Sequence, residues 1–287
     1  MTSDGQSVVA GPMRRFQGRV AVVVGGGRGI GRATATRLGA EGASVVVADR
    51  AGEFADAVAA EVATAGGSAE SFAVDATDAT EVARLFDTVG GAHGRIDVLV
   101  NCPAHASDTH VEDVTGDEFD RDVAVTLKAP FRCIQAALPY LLRSPHGGAV
   151  VSVGSVNGIE AFGNEVYGAA KAGLANLTRN LAVRYGPLGL RFNLVAPGTV
   201  ATRSWAARSA AEPDILASVA EVYPLRRVGR PADIAAACAF LASDDAAWVT
   251  GVTLPVDGGI TAGHGELIER IFGRRFFSTS HGEAPRP

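Results

Sequence analysis

The sequence predicts an α/β fold, a doubly wound parallel sheet of about seven strands in a single domain. Two observations predict it. Short runs rich in β-branched residues alternate with longer helical patterns throughout 16–260. That alternation marks βαβ units with right-handed crossovers. The first run also leads directly into a glycine-rich turn, "GGGRGIG" at 25–31, which opens a helical pattern.

The elements follow in order. "RVAVVV" (19–24) reads as a buried strand, followed by the glycines and the helix "RATATRLGAEG". "ASVVVAD" (43–49) is the second strand, with a helix over 53–65. "AESFAVD" (69–75) is the third, with a helix over 78–90. "IDVLVN" (96–101) is the fourth, and one long helical pattern covers 116–143. "GAVVSVGS" (148–155) is the fifth, followed by the helix that carries "YGAAK" at 167–171. "LRFNLVAPG" (190–198) is the sixth, and "VTLPVDGG" (252–259) closes the sheet. Segment 199–230 is less regular, with Trp205, Pro213 and Pro224, and has the length of a lid over a site.

Bulk properties narrow the function. The chain has 287 residues, 47% hydrophobic and 20% charged, enough to bury a large core. A net charge of −5 gives little electrostatic case for nucleic acid or an anionic membrane. Runs such as "VAVVV" are far too short to span a bilayer. Residues 1–15 lack the order of a secretory signal and read as a flexible leader. Residues 16–260 read as one folded domain, and 261–287 as a C-terminal extension. Its "ELIERIFGRRFF" has helical apolar spacing at 267, 268, 271 and 272, which suits packing on a subunit surface. Cys102, Cys133 and Cys238 are widely separated, so reduced thiols in a cytoplasmic protein are expected. His93, His105, His110, His146, His264 and His281 form no ligand spacing, and no metal is expected. His105 and His110 follow the fourth strand, where they could line a pocket, although exposed loop positions are the simpler expectation.

The glycine turn carries the first chemical signal. Glycines at 25, 29 and 31 allow a tight turn and close approach of a pyrophosphate, and the helix start offers free N–H groups to an anion. Asp49 ends the second strand, where a carboxylate can accept from both adenosine-ribose hydroxyls and repels a 2′-phosphate. NAD is therefore favoured over NADP. Arg28 and Arg50 work against that preference, since either can pair with a phosphate. A tyrosine and lysine four apart share a helix face in many proteins, so "YGAAK" alone decides nothing.

With "GGGRGIG", Asp75, "DVLVN", "SVGSVNG", "YGAAK", "APGTVAT" and "PLRRVGRPADIAAACAFLASDDAAWVTGVTLPVDGG" in this order, the chain resembles the short-chain dehydrogenase/reductase family over 16–260. The resemblance implies a Rossmann-like fold and a set of roles. Tyr167 would be the general acid/base, and the ammonium of Lys171 would lower the tyrosine's pKa and hold the nicotinamide ribose. Ser155 would hydrogen-bond the reacting oxygen, although a serine capping a strand end is its plain alternative. Gly25, Arg28, Gly29, Ile30, Gly31, Asp49 and Arg50 would hold the adenosine and pyrophosphate. Asp75 and Ala76 would meet the adenine and Asn101 the cofactor side of the fourth loop, with structural turns as alternatives. Pro197, Gly198, Val200 and Thr202 would shape the nicotinamide site.

Three positions depart from the family pattern. Val24 stands where a threonine is usual, and "NCPA" (101–104) where NNAG is usual. Thr126 stands where an asparagine normally holds a water of a proton relay from the lysine. Pro130 has no N–H for the carbonyl of residue 126. That backbone oxygen is thus expected to keep the relay, the hydroxyl only adding to it, so that Thr126→Val costs little.

The expected activity is NAD-dependent interconversion of a small-molecule secondary alcohol and a ketone, in a homotetramer or homodimer. The alternatives are an NADPH-dependent 3-oxoacyl-thioester reductase and a non-catalytic dinucleotide-binding sensor or scaffold. Asp49 speaks against the first. The intact Ser155, Tyr167 and Lys171 speak against the second.

Overall fold

The computed structural model describes residues 14–107, 109–263 and 265–273. Seven strands form one sheet in the order β3-β2-β1-β4-β5-β6-β7. They are β1 (Val20–Val24), β2 (Ser44–Asp49), β3 (Ser68–Ala73), β4 (Val98–Asn101), β5 (Ala149–Val153), β6 (Arg191–Pro197) and β7 (Thr253–Val256). Every neighbouring pair is parallel. All seven expected strands form; β3 starts one residue earlier than expected, and each is one to three residues shorter than expected at one end or both.

Alternation along β1 shows why the sheet is covered on both faces. Ala21 and Val23 join one core with Ala35 and Leu38 of α1 (Gly29–Ala40), Ala55 and Val58 of α2 (Gly52–Thr64), and Ile234 and Cys238 of a later helix. Val20, Val22 and Val24 join the other. There they meet Val82, Leu85 and Phe86 of α3 (Ala79–His93), and residues of two helices that follow β4 and β5. Successive strand side chains point to opposite faces, so a strand buried on both reads as a continuous apolar run.

The pattern over 116–143 resolves into three parts. α4 (Gly116–Val123) starts in a capping box between Thr115 and Glu118. A π-helical turn covers Ala124–Lys128, and α5 (Ala129–Leu141) follows with Pro130 in its first turn. The helical run expected over 116–143 is thus interrupted by one wide turn just before Pro130, with Thr126 buried inside it. α6 (Glu165–Tyr185) carries the Tyr–Lys pair. Segment 199–230 is more ordered than its sequence suggests. It holds α7 (Ala206–Ala211) and α8 (Ile215–Val222) before α9 (Pro231–Ala242).

The N-terminal end needs one adjustment. Arg15, assigned to the leader, belongs to the folded body: it pairs with buried Glu41 at 2.6 Å and with Asp245 at 3.0 Å. The rest of the leader lies outside the described residues, apart from Arg14. In the extension, α10 (Gly265–Phe272) forms, with Leu267, Ile271 and Phe272 exposed. Residues from 274 onward lie outside the description. Among the described residues no helix is long and apolar enough to cross a membrane.

Candidate active site

The sheet reverses its winding between β1 and β4, and ligands of open α/β sheets bind at such a switch, beyond the carboxyl ends of the strands. Register brings Asn101 beside Val24 on one side and Ser152 on the other. The glycine turn, the loop after β4 and Ser155 therefore share one edge.

The glycine turn is tightly built. Gly25 and Gly29 have φ of +71° and +51°, a region costly for residues with a Cβ. A Cβ on Gly31 would lie 1.9 Å from the carbonyl oxygen of Gly25, so only glycine lets the helix start this close. No acidic residue occupies the first turn of α1, and Arg28, its N-cap, makes no side-chain cap. The helix start is thus open to an anion. Ile30 faces inward against the core.

Asp49 fixes this turn to β2. One carboxylate oxygen accepts from Gly27 N–H at 2.9 Å and the other from Ala51 N–H at 3.1 Å. The guanidinium of Arg28 stacks on Phe54, 3.5 Å from the ring centroid, a partner its sequence context does not reveal. Asp75 accepts from the backbone and hydroxyl of Thr77, at 2.8 and 2.7 Å. Burial pushes the Asp75 carboxyl up, but these bonds and the charge of Arg50 outweigh it, leaving it below the usual range. One oxygen of Asp75 is thus a turn-maker, as the structural alternative had it. Ala76 packs against the core beside it.

Across the turn lies the segment after β6. A Cβ on Gly29 would sit 3.4 Å from the methyl of Thr202. The Thr202 hydroxyl shares a 2.6 Å hydrogen bond with that of Ser204, and Val200 bridges to Gly229. Pro197 ends β6, and Gly198 passes so close to Tyr223 that a Cβ would approach its ring at 3.0 Å. The Tyr223 hydroxyl accepts from Thr199 N–H at 2.6 Å, which makes a residue of the irregular segment a support of this wall.

Ser155, Tyr167 and Lys171 converge. Ser155 caps a 3-10 turn at Val156–Gly158, accepting from Asn157 N–H at 3.2 Å and donating to Asn157 Oδ1 at 3.1 Å. It also lies close enough to the Tyr167 phenol to pull that group's pKa down. Capping and meeting the tyrosine are therefore both true of this serine. The turn packs hard on α6, where a Cβ on Gly158 would lie 2.8 Å from the Lys171 backbone. Asn157, which the motif does not mark, donates to Gly163 O at 2.8 Å and steadies the approach to α6.

The Lys171 side chain is 1% exposed as a residue, and its Nζ donates to Val153 O at 2.6 Å. Burial lowers its pKa to about 8. Its Nζ lies 5.5 Å from the centre of the Tyr167 ring. The expected lowering of the tyrosine's pKa is not present in the protein alone: burial pushes the phenol above its ordinary value, against a Ser155 hydrogen bond that pulls it down. The reason is geometric. The lysine's near, directed bond goes to a carbonyl and not to the phenol.

Thr126 also needs correction. Its hydroxyl accepts from His105 N–H at 3.1 Å and donates to His105 O at 2.9 Å. It ties the loop after β4 to the π-turn, and so is not an optional addition to a relay. Thr126→Val is now expected to lower stability by about 1–3 kcal/mol, because both loop groups lose a partner. Thr126→Asn should recover part of that. Thermal melts of the two variants check this ordering, which fails if Val melts with the wild type.

His105 is not a free loop residue either. Its Nδ1 lies 2.7 Å from Oδ1 of buried Asp122. His110 is exposed, and His264 and His281 lie outside the described residues. The three cysteines are unpaired.

A family model described as enoyl-(acyl carrier protein) reductase matches residues 24–261. The levodione reductase of Leifsonia aquatica is 36% identical over 267 residues, covering 90% of this chain and 100% of the relative. A cis-4-hydroxycyclohexanecarboxylate dehydrogenase of Sinomonas cyclohexanicum is 42% identical over 251 residues, 86% of this chain and 98% of the other. Among solved structures, a short-chain dehydrogenase/reductase family oxidoreductase from Burkholderia thailandensis superposes with a TM-score of 0.80 at 35% identity, over 88% of this chain and 97% of that one. The chain belongs to the short-chain dehydrogenase/reductase family. It is an oxidoreductase, and its family uses nicotinamide dinucleotides.

A nicotinamide dinucleotide fits this short-chain dehydrogenase. The amide of Asn101 is 1% exposed, and both its nitrogen and its oxygen lack a hydrogen-bond partner, though they lie beside the glycine turn. Buried polar atoms are seldom left so. A ligand seated on the turn is the natural partner for them.

Proposed function

We propose that the protein interconverts a secondary alcohol and a ketone with NAD as cofactor, Tyr167 serving as general acid/base. The observation that carries this is the convergence of Ser155, Tyr167 and Lys171 at the edge where the glycine turn opens. When bound, the nicotinamide supplies the hydride acceptor or donor. Tyr167 exchanges the proton of the substrate oxygen, Ser155 holds that oxygen, and Lys171 supplies the nearby positive charge that favours a phenolate. In the free protein Tyr167 is a neutral phenol, ready to donate in the direction of reduction. In the direction of oxidation its proton must first leave, and the carbonyl of Thr126, denied an N–H by Pro130, is the place for a relay water.

Asp49 supports NAD. Two N–H bonds hold its carboxylate at the end of β2, where it can accept from ribose hydroxyls and repel a 2′-phosphate. Stacked Arg28 limits that repulsion. Fluorescence titration is expected to give at least about tenfold tighter binding of NAD than NADP, with the gap narrowed in Asp49→Ala. NAD affinity should fall too in that variant, since Gly27 N–H loses its partner. Preference for NADP in the wild type would overturn the cofactor assignment.

The same proposal covers the cytoplasmic location and a homotetrameric or homodimeric assembly. The exposed Leu267 and Ile271 of α10 suit a subunit contact.

A further inference from the structure

Asp122 is a buried carboxylate with no part in the chemistry above. Its residue is 2% exposed. Among the described residues, the partners of this side-chain carboxylate come from the loop after β4. Ser107 N–H reaches both oxygens at 3.1 Å, Ser107 Oγ donates at 3.1 Å, and His105 Nδ1 lies at 2.7 Å. One turn further along the same helical run, Thr126 clamps the backbone N–H and C=O of His105. Side chain and backbone of His105 are therefore both fixed.

This fixing has a chemical consequence. With a carboxylate at Nδ1, a neutral imidazole carries its proton there and presents a bare lone pair at Nε2. Nε2 is at the opposite edge of the ring from Asp122 and has no partner among the described residues. The side chain keeps 32% of its exposure, against 3% for Asp122. Its loop follows Asn101 and abuts the first glycine of the turn, Gly25, whose added Cβ would lie 3.1 Å from Pro103 N. An oriented acceptor thus sits on the loop that borders both the cofactor turn and the π-turn facing α6.

We propose that His105, oriented by Asp122, is a specificity residue that accepts a hydrogen bond from a second hydroxyl of the substrate, so that diols and other polyols are favoured over simple secondary alcohols. The inference rests on the alcohol–ketone activity proposed above. His105 does not touch the reacting oxygen, and Asp122 is a positioning residue that acts through it. An acceptor that a bound substrate shuts off from water discriminates, because a substrate without the matching donor leaves it unpaired.

The test compares alcohols of one carbon skeleton, 2,3-butanediol with 2-butanol and cyclohexane-1,2-diol with cyclohexanol. His105→Phe is expected to lower kcat/KM for the diols by about 10–100-fold, mostly through KM, and to leave the mono-ols within about threefold. Asp122→Asn can donate its amide to Nδ1, move the ring proton to Nε2 and so reduce diol preference in a folded enzyme. Equal losses on diols and mono-ols would overturn the inference. A second readout does not depend on turnover. Nitrogen NMR of histidine-labelled protein with NAD should show the Nδ1–H tautomer at His105, and its Nε2 signal should move on adding a diol but not a mono-ol. That shift without turnover would support His105 and sink the alcohol–ketone activity. Turnover with no shift and no diol preference would do the reverse.

Discussion

Tyr167→Phe is expected to lower kcat by about 10³-fold or more, while cofactor affinity stays within about threefold and the melting temperature within a few degrees. The substitution removes one oxygen. The ring remains, with Lys171 Nζ 5.5 Å from its centre, so packing is kept. What is lost is the phenol oxygen beside Ser155, the group proposed to exchange a proton with the substrate oxygen. The capping bonds between Ser155 and Asn157 do not involve Tyr167, so the serine stays in place. Steady-state kinetics with a direct cofactor titration separates the two effects. A variant with most of its activity would mean that proton exchange happens elsewhere.

Lys171→Met should produce the opposite pattern in stability. Turnover is expected to fall by a similar factor and cofactor binding to weaken, because the nearby positive charge disappears. Yet the cofactor-free protein should melt higher, by about 5 °C. Burial brings the ammonium's pKa down from 10.5 to about 8, so the native state holds this proton less tightly than the unfolded chain does. The unfolded state binds more protons between these two values, and stability contributed at this position rises with pH across that window. Well below pH 8 the buried charge carries its full penalty. The gap between variant and wild type should therefore be largest there and shrink toward pH 10.5. Its Val153 O bond, at 2.6 Å, offsets part of the penalty. A variant that melts lower at neutral pH would show that this bond outweighs burial. A site that keeps a charge at such expense keeps it for function.

Much of the fold is legible in the sequence because strand burial on both faces leaves unbroken runs such as "VAVVV", which no amphipathic helix produces. The glycine turn is legible for a similar reason: its close approaches admit no side chain. What lies hidden is local or long-range. The π-turn at Ala124–Lys128 sits inside a helical period that is unbroken on paper, and only Pro130 hints at it. The tie from Thr126 to His105 spans 21 positions, and that from Asp122 to His105 spans 17. Neither has a spacing rule. Asp122 reads as one more acid in a charged stretch until the loop after β4 folds onto it. For Lys171, spacing places it beside Tyr167 but cannot say which oxygen its amine chooses. Ser155 shows the limit of posing alternatives, since one hydroxyl both caps a turn and meets the tyrosine.

The role proposed for Ser155, Tyr167 and Lys171 is hydride exchange between a secondary alcohol and a nicotinamide ring, with the proton passing through Tyr167. The most direct measurement uses secondary alcohols, diols included, deuterated at the carbinol carbon and incubated with wild-type enzyme and NAD. Mass spectrometry of the recovered nicotinamide cofactor should find one deuterium for each ketone formed, and Tyr167→Phe should yield almost none of either. Ketone formed without label in the cofactor, or label transfer undiminished in Tyr167→Phe, would contradict it.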